Sequence, residues 1–391
     1  MPQSKKTDTT PGKWILDLMP KKAKLLLGAS GKELIREIGL DVIKGVVLDV
    51  LSGRNLRDST EMLTRKRIAS LNAGTLVMFI KGQTLSKNFI ERLTTEACNG
   101  LKERHGKEHR WILQWILGLT DKAYQNVLRD RPNLLEDYTQ RYIQVYNEVS
   151  ALSKEDYGPL SGELILSNTQ KAQLDWNFII HVLGTIGAQT LAIRGSEKST
   201  YGKLFERLIM GSLLHILGFE LIDPKKPTKL TRVFWLASRE ERRESDATAL
   251  FEAGKGVRFD IGFIGRGNPE ISLDKVTRFE REIEFGRGRW YMATIMIVDT
   301  IGAKSRIPQL AKKVDGKVVQ MSMAYWPKQV AQILAETVGL KHELTKMPDS
   351  QIADYLKKKM ATLPLESFIP TGRVNSDITP ELNASTNDNT F

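Results

Sequence analysis

Between Phe259 and Phe285 the chain carries carboxylates whose spacing suits a divalent cation. Asp260 stands in Val257-Arg258-Phe259-Asp260-Ile261-Gly262-Phe263-Ile264, a β-favouring run bounded by Gly256 and by the turn-forming Gly265-Arg266-Gly267-Asn268-Pro269. Phe279-Glu280-Arg281-Glu282-Ile283-Glu284-Phe285 alternates with period two, so Glu280, Glu282 and Glu284 share one strand face. Like charges along one face repel, and a cation has to compensate them. Mg2+ suits that place, because it takes a few hard carboxylate oxygens and fills its remaining positions with water and substrate phosphate. The chemistry that follows is attack of an activated water on a phosphodiester. The same alternation also describes a solvated strand face paired with Arg258, Arg278 and Arg281, and on the pattern alone both readings stand.

FDIGFIG followed by REIEFGRGRW resembles the active-site segment of type II restriction endonucleases of the PD-(D/E)xK superfamily, where an acidic residue on one strand precedes Glu-x-Lys on the next. Over roughly residues 200–325, and above all in RESDATALFEAGKGVRFDIGFIGRGNPEISLDKVTRFEREIEFGRGRW, the chain is most similar to the CfrBI family of those enzymes. The resemblance implies Asp260 as first metal ligand, Glu282 as second, and Glu284 where Lys usually stands, orienting or deprotonating the attacking water. It further implies a Mg2+-dependent, site-specific endonuclease acting on double-stranded DNA at a short palindrome of the CCWWGG kind. A homodimer with one active site per strand, and a cognate DNA methyltransferase as genetic partner, complete that expectation.

Two features depart from the superfamily pattern: Val257-Arg258-Phe259 precedes Asp260 without the proline, and no lysine follows Glu282 at the second position. Glu280-Arg281-Glu282 is an equally legal register. Asp246, in Glu244-Ser245-Asp246-Ala247-Thr248, is the runner-up for the first acid, and Glu206 on the first core helix is either a further acid near the metal or a solvated helix residue. Two rival readings stay open: a structure-specific repair or recombination nuclease of the same superfamily, and a non-catalytic basic DNA-binding protein.

Charge supplies a separate line. A net charge of +12 and a pI near 9.5 favour polyanionic partners, since each neutralised phosphate releases condensed counterions. Lys255 and Arg258 precede the proposed site, Arg266 tips the intervening turn, and Arg287 and Arg289 follow it; together they are assigned to DNA binding. A single cysteine, Cys98, excludes an intrachain disulfide framework and a Cys-rich zinc site, and fits a reducing cytoplasm. Leu25-Leu26-Leu27 is too short for a signal-peptide core. Phe178 to Ile193, interrupted by His181, Thr185 and Gln189, is expected to fall short of a membrane span, so a cytoplasmic protein with no membrane partner is expected.

The elements needed to position the acids follow in order. Ser199-Thr200 offers an N-cap for a helix through Leu204, Phe205, Leu208, Ile209 and Leu213 that ends at Gly218. Phe219–Ile222 and Arg232–Leu236 read as strands ahead of the acid-bearing strands. Tyr291–Val298 has β composition where the family often places a helix, Lys317–Met323 is a closing strand, and Pro327–Leu340 an amphipathic helix. The fold class is therefore α/β (α+β): a restriction-endonuclease-like mixed sheet core flanked by helices, behind a largely helical N-terminal region. Four regions are expected: a basic arm over 1–30, a helical region over 31–195 for DNA contact or dimerisation, the catalytic core over 196–345, and a terminal helix with a flexible tail over 346–391.

Within the helical region, Ile35 to Val50 suggests a buried helix, Asp58 with Glu61 a capping box, and further helices fall near 87–103, 109–129, 133–152 and 170–194. Thr64-Arg65-Lys66-Arg67 and Lys102 to Arg110 are basic clusters that could lie along phosphates. Gly28-Ala29-Ser30-Gly31-Lys32 lacks both the leading glycine and the Ser or Thr of a phosphate loop and reads as a helix-linking turn. His105 and His109 are expected at the surface, and Trp111 with Trp115 in the core.

Overall fold

The computed structural model describes residues 12–27, 32–103, 105–125, 131–224, 229–237, 245–262, 291–299, 301 and 316–369. Helices α1 (Lys13–Leu18), α2 (Lys21–Leu27), α3 (Lys32–Ile38), α4 (Leu40–Leu51), α5 (Leu56–Leu85), α6 (Phe89–Lys102), α7 (Lys107–Ile116), the single turn α8 (Asp121–Ala123) and α9 (Pro132–Tyr157) precede a hairpin of β1 (Gly162–Ser167) and β2 (Gln170–Leu174). The 41-residue α10 (Trp176–Ile216) then leads into β3 (Glu220–Leu221), β4 (Val233–Leu236), β5 (Ala247–Glu252), β6 (Lys255–Gly262), β7 (Tyr291–Val298) and β8 (Gly316–Gln320). Helices α11 (Trp326–Val338) and α12 (Asp349–Ala361) follow. The fold class is the expected one: a mixed sheet flanked by helices, behind a helical N-terminal region.

Strand order in the sheet is β3-β4-β5-β6-β7-β8. β4, β5 and β6 form an antiparallel meander, whereas β6, β7 and β8 run parallel. At Tyr291–Val298, where β composition and the helix of the family pattern disagree, composition prevails: β7 is buried between two neighbours and packs residues such as Ile295 and Ile297 into the core.

Two hydrophobic cores share two helices. The sheet core gathers Phe234, Ala249, Phe259, Ile261, Ile295 and Val319 from one face of the sheet against Phe205, Leu208 and Leu213 of α10 and Val47 of α4. The helical core gathers Phe79, Phe89, Trp111, Trp115 and Phe178. α5 contributes Leu56 and Leu63 to the first and Leu71 and Phe79 to the second; α10 contributes Phe178 to Ile193 to the helical core and Tyr201 to Leu217 to the sheet core. Apolar residues at helical spacing on both stretches of α10 hold it straight through.

Several expectations change. α10 starts where Asp175 accepts from the Phe178 N–H at 2.7 Å, so Ser199-Thr200 is helix interior and not an N-cap. α5 starts at Asn55, whose Oδ1 accepts from the Arg57 N–H at 2.8 Å, and Asp58 falls in its first turn. Residues 170–174, expected at the start of a helix over 170–194, form β2 of the hairpin instead; Thr84 Oγ1 donates to the Lys171 carbonyl at 2.8 Å and accepts its N–H at 3.0 Å, giving β2 an acceptor and a donor beyond its partner strand.

Over residues 13–27 the expected basic arm is helical and packed, with Ile15 and Leu27 buried. Arg67, expected to be free for phosphates, is buried and donates to the carbonyls of Leu26 and Leu27 at 3.1 and 3.0 Å, satisfying orphan acceptors at the end of α2. His109 is buried against the Gly12 carbonyl at 2.8 Å, not at the surface, while Trp111 and Trp115 are core residues as expected. The Gly28–Lys32 turn lies mostly outside the described residues.

Leu363, Leu365, Phe368 and Ile369, placed in the expected tail, are buried in the sheet core. Trp176–Gly195 of α10 is long and apolar enough to cross a membrane by length and composition, contrary to expectation; here Phe178, Val182, Ala188 and Ile193 are buried in the helical core.

Candidate active site

β5 and β6 are adjacent strands of a tight hairpin that turns at Ala253-Gly254, with Gly254 at φ 79°. Their register sets Ala247 against Phe259, and Asp246 is the residue just before β5 at the end of the hairpin where Asp260 stands on β6. Beyond the start of β5 there is no strand carbonyl for Ile261, and the Asp246 side chain takes that place: Oδ2 accepts the Ile261 N–H at 2.8 Å. The Asp246 carbonyl accepts from the Ala237 N–H at 3.0 Å, which ties the end of β4 to the same point. Arg207 of α10 donates to the Ala237 carbonyl and, at 3.3 Å, to that of Phe368. Burial lowers the Arg207 pKa from its ordinary value. Asp246 is thus held through β4, β6 and, by way of Ala237, α10.

Asp260 is only 6% exposed. Alternation along β6 sends Val257, Phe259 and Ile261 into the sheet core and turns Arg258 and Asp260 to the opposite face, where Thr248 stands across from Arg258 and Met296 across from Asp260. A buried carboxylate costs several kcal/mol unless compensated, on the order of the desolvation of one ion. Asp246, bonded to the Ile261 N–H at the same end of the hairpin, is a second acid in this region. Carboxylate oxygens are the hard donors that a divalent cation of the Mg2+ type takes. Among the described residues no group of three His, Cys, Asp or Glu comes together as a ready metal cage, so any further ligand is supplied from elsewhere.

A third acid closes the carboxyl end of the parallel strands. Asp299 directly follows β7, is 6% exposed, and its Oδ2 accepts from Asn55 Nδ2 at 2.5 Å. The Ser322 N–H donates to its carbonyl at 3.1 Å. Asn55 is also the N-cap of α5, so the α4–α5 elbow is fastened to the sheet at this rim. Gly53, at φ 88°, lets the elbow approach so closely that a Cβ there would lie 2.8 Å from the Ala324 nitrogen. Trp326 Nε1 donates to the Val50 carbonyl at 2.9 Å beside it. Sequence reasoning missed Asp299 and Arg207; an acid ending the apolar run Tyr291–Val298 was the one local signal available.

The other expected site residues divide into three groups. Arg258 lies on the Asp260 face, two residues away. Lys255 lies at the far end of β6, about 16 Å of extended strand from Asp260, in a tight ion pair with Glu252. Glu206 is half-buried on α10, which covers the face of the sheet opposite to Asp260, so the two are not brought together. Glu280, Glu282, Glu284, Arg266, Arg287 and Arg289 lie outside the described residues. Both edges of β6 are occupied, by β5 and β7.

A mixed sheet with Asp246 and the buried Asp260 at one end of a hairpin, in a strongly basic chain, is an arrangement suited to a metal-assisted nuclease. Comparison with known proteins names the class and then the family. The profile of the CfrBI restriction endonuclease family matches residues 40–306. The chain is also 36% identical, over 353 residues spanning 90% of its length and 97% of the relative, to the type II restriction enzyme CfrBI of Citrobacter freundii. This chain belongs to the CfrBI restriction endonuclease family. No solved structure matches it.

Proposed function

We propose that the chain is a Mg2+-dependent type II restriction endonuclease that hydrolyses phosphodiester bonds in double-stranded DNA at a short palindrome, CCWWGG-like by family resemblance. The observation that supports this reading is the bond that anchors Asp246 on the Ile261 N–H, next in sequence to the buried Asp260. Asp260 and Asp246 hold the metal. When bound, Mg2+ supplies Lewis acidity at the phosphoryl oxygen and lowers the pKa of a coordinated water.

Arg258, on the same face, binds a neighbouring phosphate of the strand being cut. Glu282 and Glu284 keep the roles the resemblance implies, further ligand and water-orienting group. Arg266, Arg287 and Arg289 are assigned to DNA contact. The protein acts in the cytoplasm as a homodimer, one site per DNA strand, with a methyltransferase of matching specificity as its genetic partner.

Digestion of plasmid DNA with and without Mg2+, followed by mapping of the ends, tests the reading. Discrete fragments that require the metal support it. A metal-dependent smear or cutting only at junctions would favour a repair nuclease, and full activity of Asp246→Ala with loss in Glu282→Ala would return the second ligand to Glu282.

A further inference from the structure

Among the described residues no carboxylate pairs with Arg207, half-buried on α10; its guanidinium instead bridges two main-chain carbonyls, that of Ala237 and, at 3.3 Å, that of Phe368. The planar fork of a guanidinium holds its donors in fixed directions, so two points far apart in the chain are set relative to each other. The first point is the end of β4. Ala237 donates its N–H to the Asp246 carbonyl at 3.0 Å, and the Ile261 N–H fixes the Asp246 carboxylate at 2.8 Å. The second point belongs to a strap near the carboxyl end, where Leu363, Leu365, Phe368 and Ile369 are buried in the sheet core. Phe368 packs on Gly211, one turn of α10 beyond Arg207, so closely that a Cβ there would lie 2.5 Å from its ring. Withdrawing a cation from water without a carboxylate partner costs free energy that an apolar contact between the same elements would not.

We infer that Arg207 is a positioning residue for the metal site: by fixing Ala237 against the strap it sets where Asp246 presents its carboxylate, and through that the affinity for the divalent ion. A ligand carboxylate is only as well placed as the groups that hold it, and removing one such group commonly costs about 10-fold or more in metal affinity. The inference rests on the reading of Asp246 as a metal ligand and adds what aims it. It also makes the strap, remote in sequence from the acids, a part of the site.

Mn2+ is the probe, since it takes the same oxygen donors as Mg2+, and electron paramagnetic resonance of the free ion measures what the full-length protein binds without DNA. Arg207→Met keeps the apolar stem and removes the donors; it is expected to weaken Mn2+ binding about 10-fold or more and to raise the Mg2+ concentration needed for cleavage in proportion, with KM for the duplex unchanged. Gly211→Ala leaves the guanidinium in place and displaces the strap. It is expected to weaken Mn2+ binding in the same direction, and it carries the test should Arg207→Met not fold. A merely structural Arg207 would lower the urea midpoint and leave the Mn2+ affinity of the folded protein as it is; wild-type affinity in either variant overturns the proposal. Asp246→Ala keeps the two readings apart. If it binds Mn2+ as wild type does, or if the wild type binds none, the metal reading of Asp246 falls and the inference with it. If it loses Mn2+ while Arg207→Met retains it, only the role of Arg207 falls.

Discussion

The helical half and the sheet half spend their buried polar groups differently. In the helical half several buried polar side chains meet backbone carbonyls or one another: Thr75 donates to Gln189 at 2.7 Å, Gln189 to Asn72 at 2.7 Å, Arg67 to two carbonyls and His109 to Gly12. In the sheet half two of them are carboxylates, Asp260 and Asp299, at or near the carboxyl ends of parallel strands. Internally matched polar contacts of this kind fix how helices cross. Buried acids at strand ends cost more than they stabilise and are retained where charge has a use. The difference locates the chemistry in the sheet half and leaves the helical half the task of support.

Removing the acid is the strongest way to break that contrast. Asp260→Ala is expected to lower Mg2+-dependent cleavage by on the order of 10²–10³-fold while duplex binding, read by gel shift, changes little. Stability should hold or rise, because a buried charge is removed without opening a large cavity. Cleavage at the wild-type rate by this variant would end the assignment of Asp260.

The shared helices make a second test. Phe79 is fully buried in the helical core, edge-on to Phe89 at 5.8 Å and to Phe178 at 6.0 Å. Phe79→Ala should cost about 3–5 kcal/mol. Since α5 and α10 run through both cores, that loss is expected to reach the distant site, so cleavage and far-UV ellipticity vanish at the same urea concentration. Activity persisting beyond the loss of helix signal would mean that the halves are stable separately.

Protons provide a third, smaller handle, and it belongs to the helical half. His181 is buried beside Tyr146 and Tyr142, with ring centroids 4.8 and 5.9 Å away, and desolvation pushes its pKa down to about 4. The unfolded chain binds this proton near pH 6.5 and the folded chain does not, so stability is full above that value and falls as pH drops toward 4. Between pH 7 and pH 5 the wild type should lose about 2 kcal/mol more than His181→Phe in urea titrations. Equal losses would show that His181 accepts its proton without unfolding.

How far the sequence foretold this architecture depends on whether the deciding contact is local. Helix periodicity, the strands at Val233–Leu236 and Gly316–Gln320, and Asp260 as an acid in an apolar strand were legible from neighbours alone. The bond from the Ile261 N–H to Asp246, named from sequence only as the runner-up acid, was not, because it depends on a hairpin closed by a turn eight residues away. Asn55 and Asp299, 244 residues apart, leave no local trace of their bond. The hairpin was missed because Gln-Lys-Ala-Gln-Leu has helical composition and is held as strand by Thr84 and by β1. Ser199-Thr200 read as a start for the same reason: capping residues are visible in sequence, while the two cores that keep α10 continuous across them are not.

That continuity can be tested at Gly195, between Ile193 of the helical core and Tyr201 of the sheet core. No atom lies within 4 Å of a Cβ placed there, and glycine in a helix interior is less favourable than alanine by about 0.5–1 kcal/mol. Gly195→Ala should therefore stabilise the whole protein by roughly that amount in a urea titration. Stability that rises while cleavage slows would show that the halves bend at this point during the reaction, and the glycine would then be kept for motion. Stability that rises with cleavage unchanged would make α10 a rigid strut between the two cores. No gain at all would contradict a continuous helix, because alanine stabilises only where the backbone is already helical.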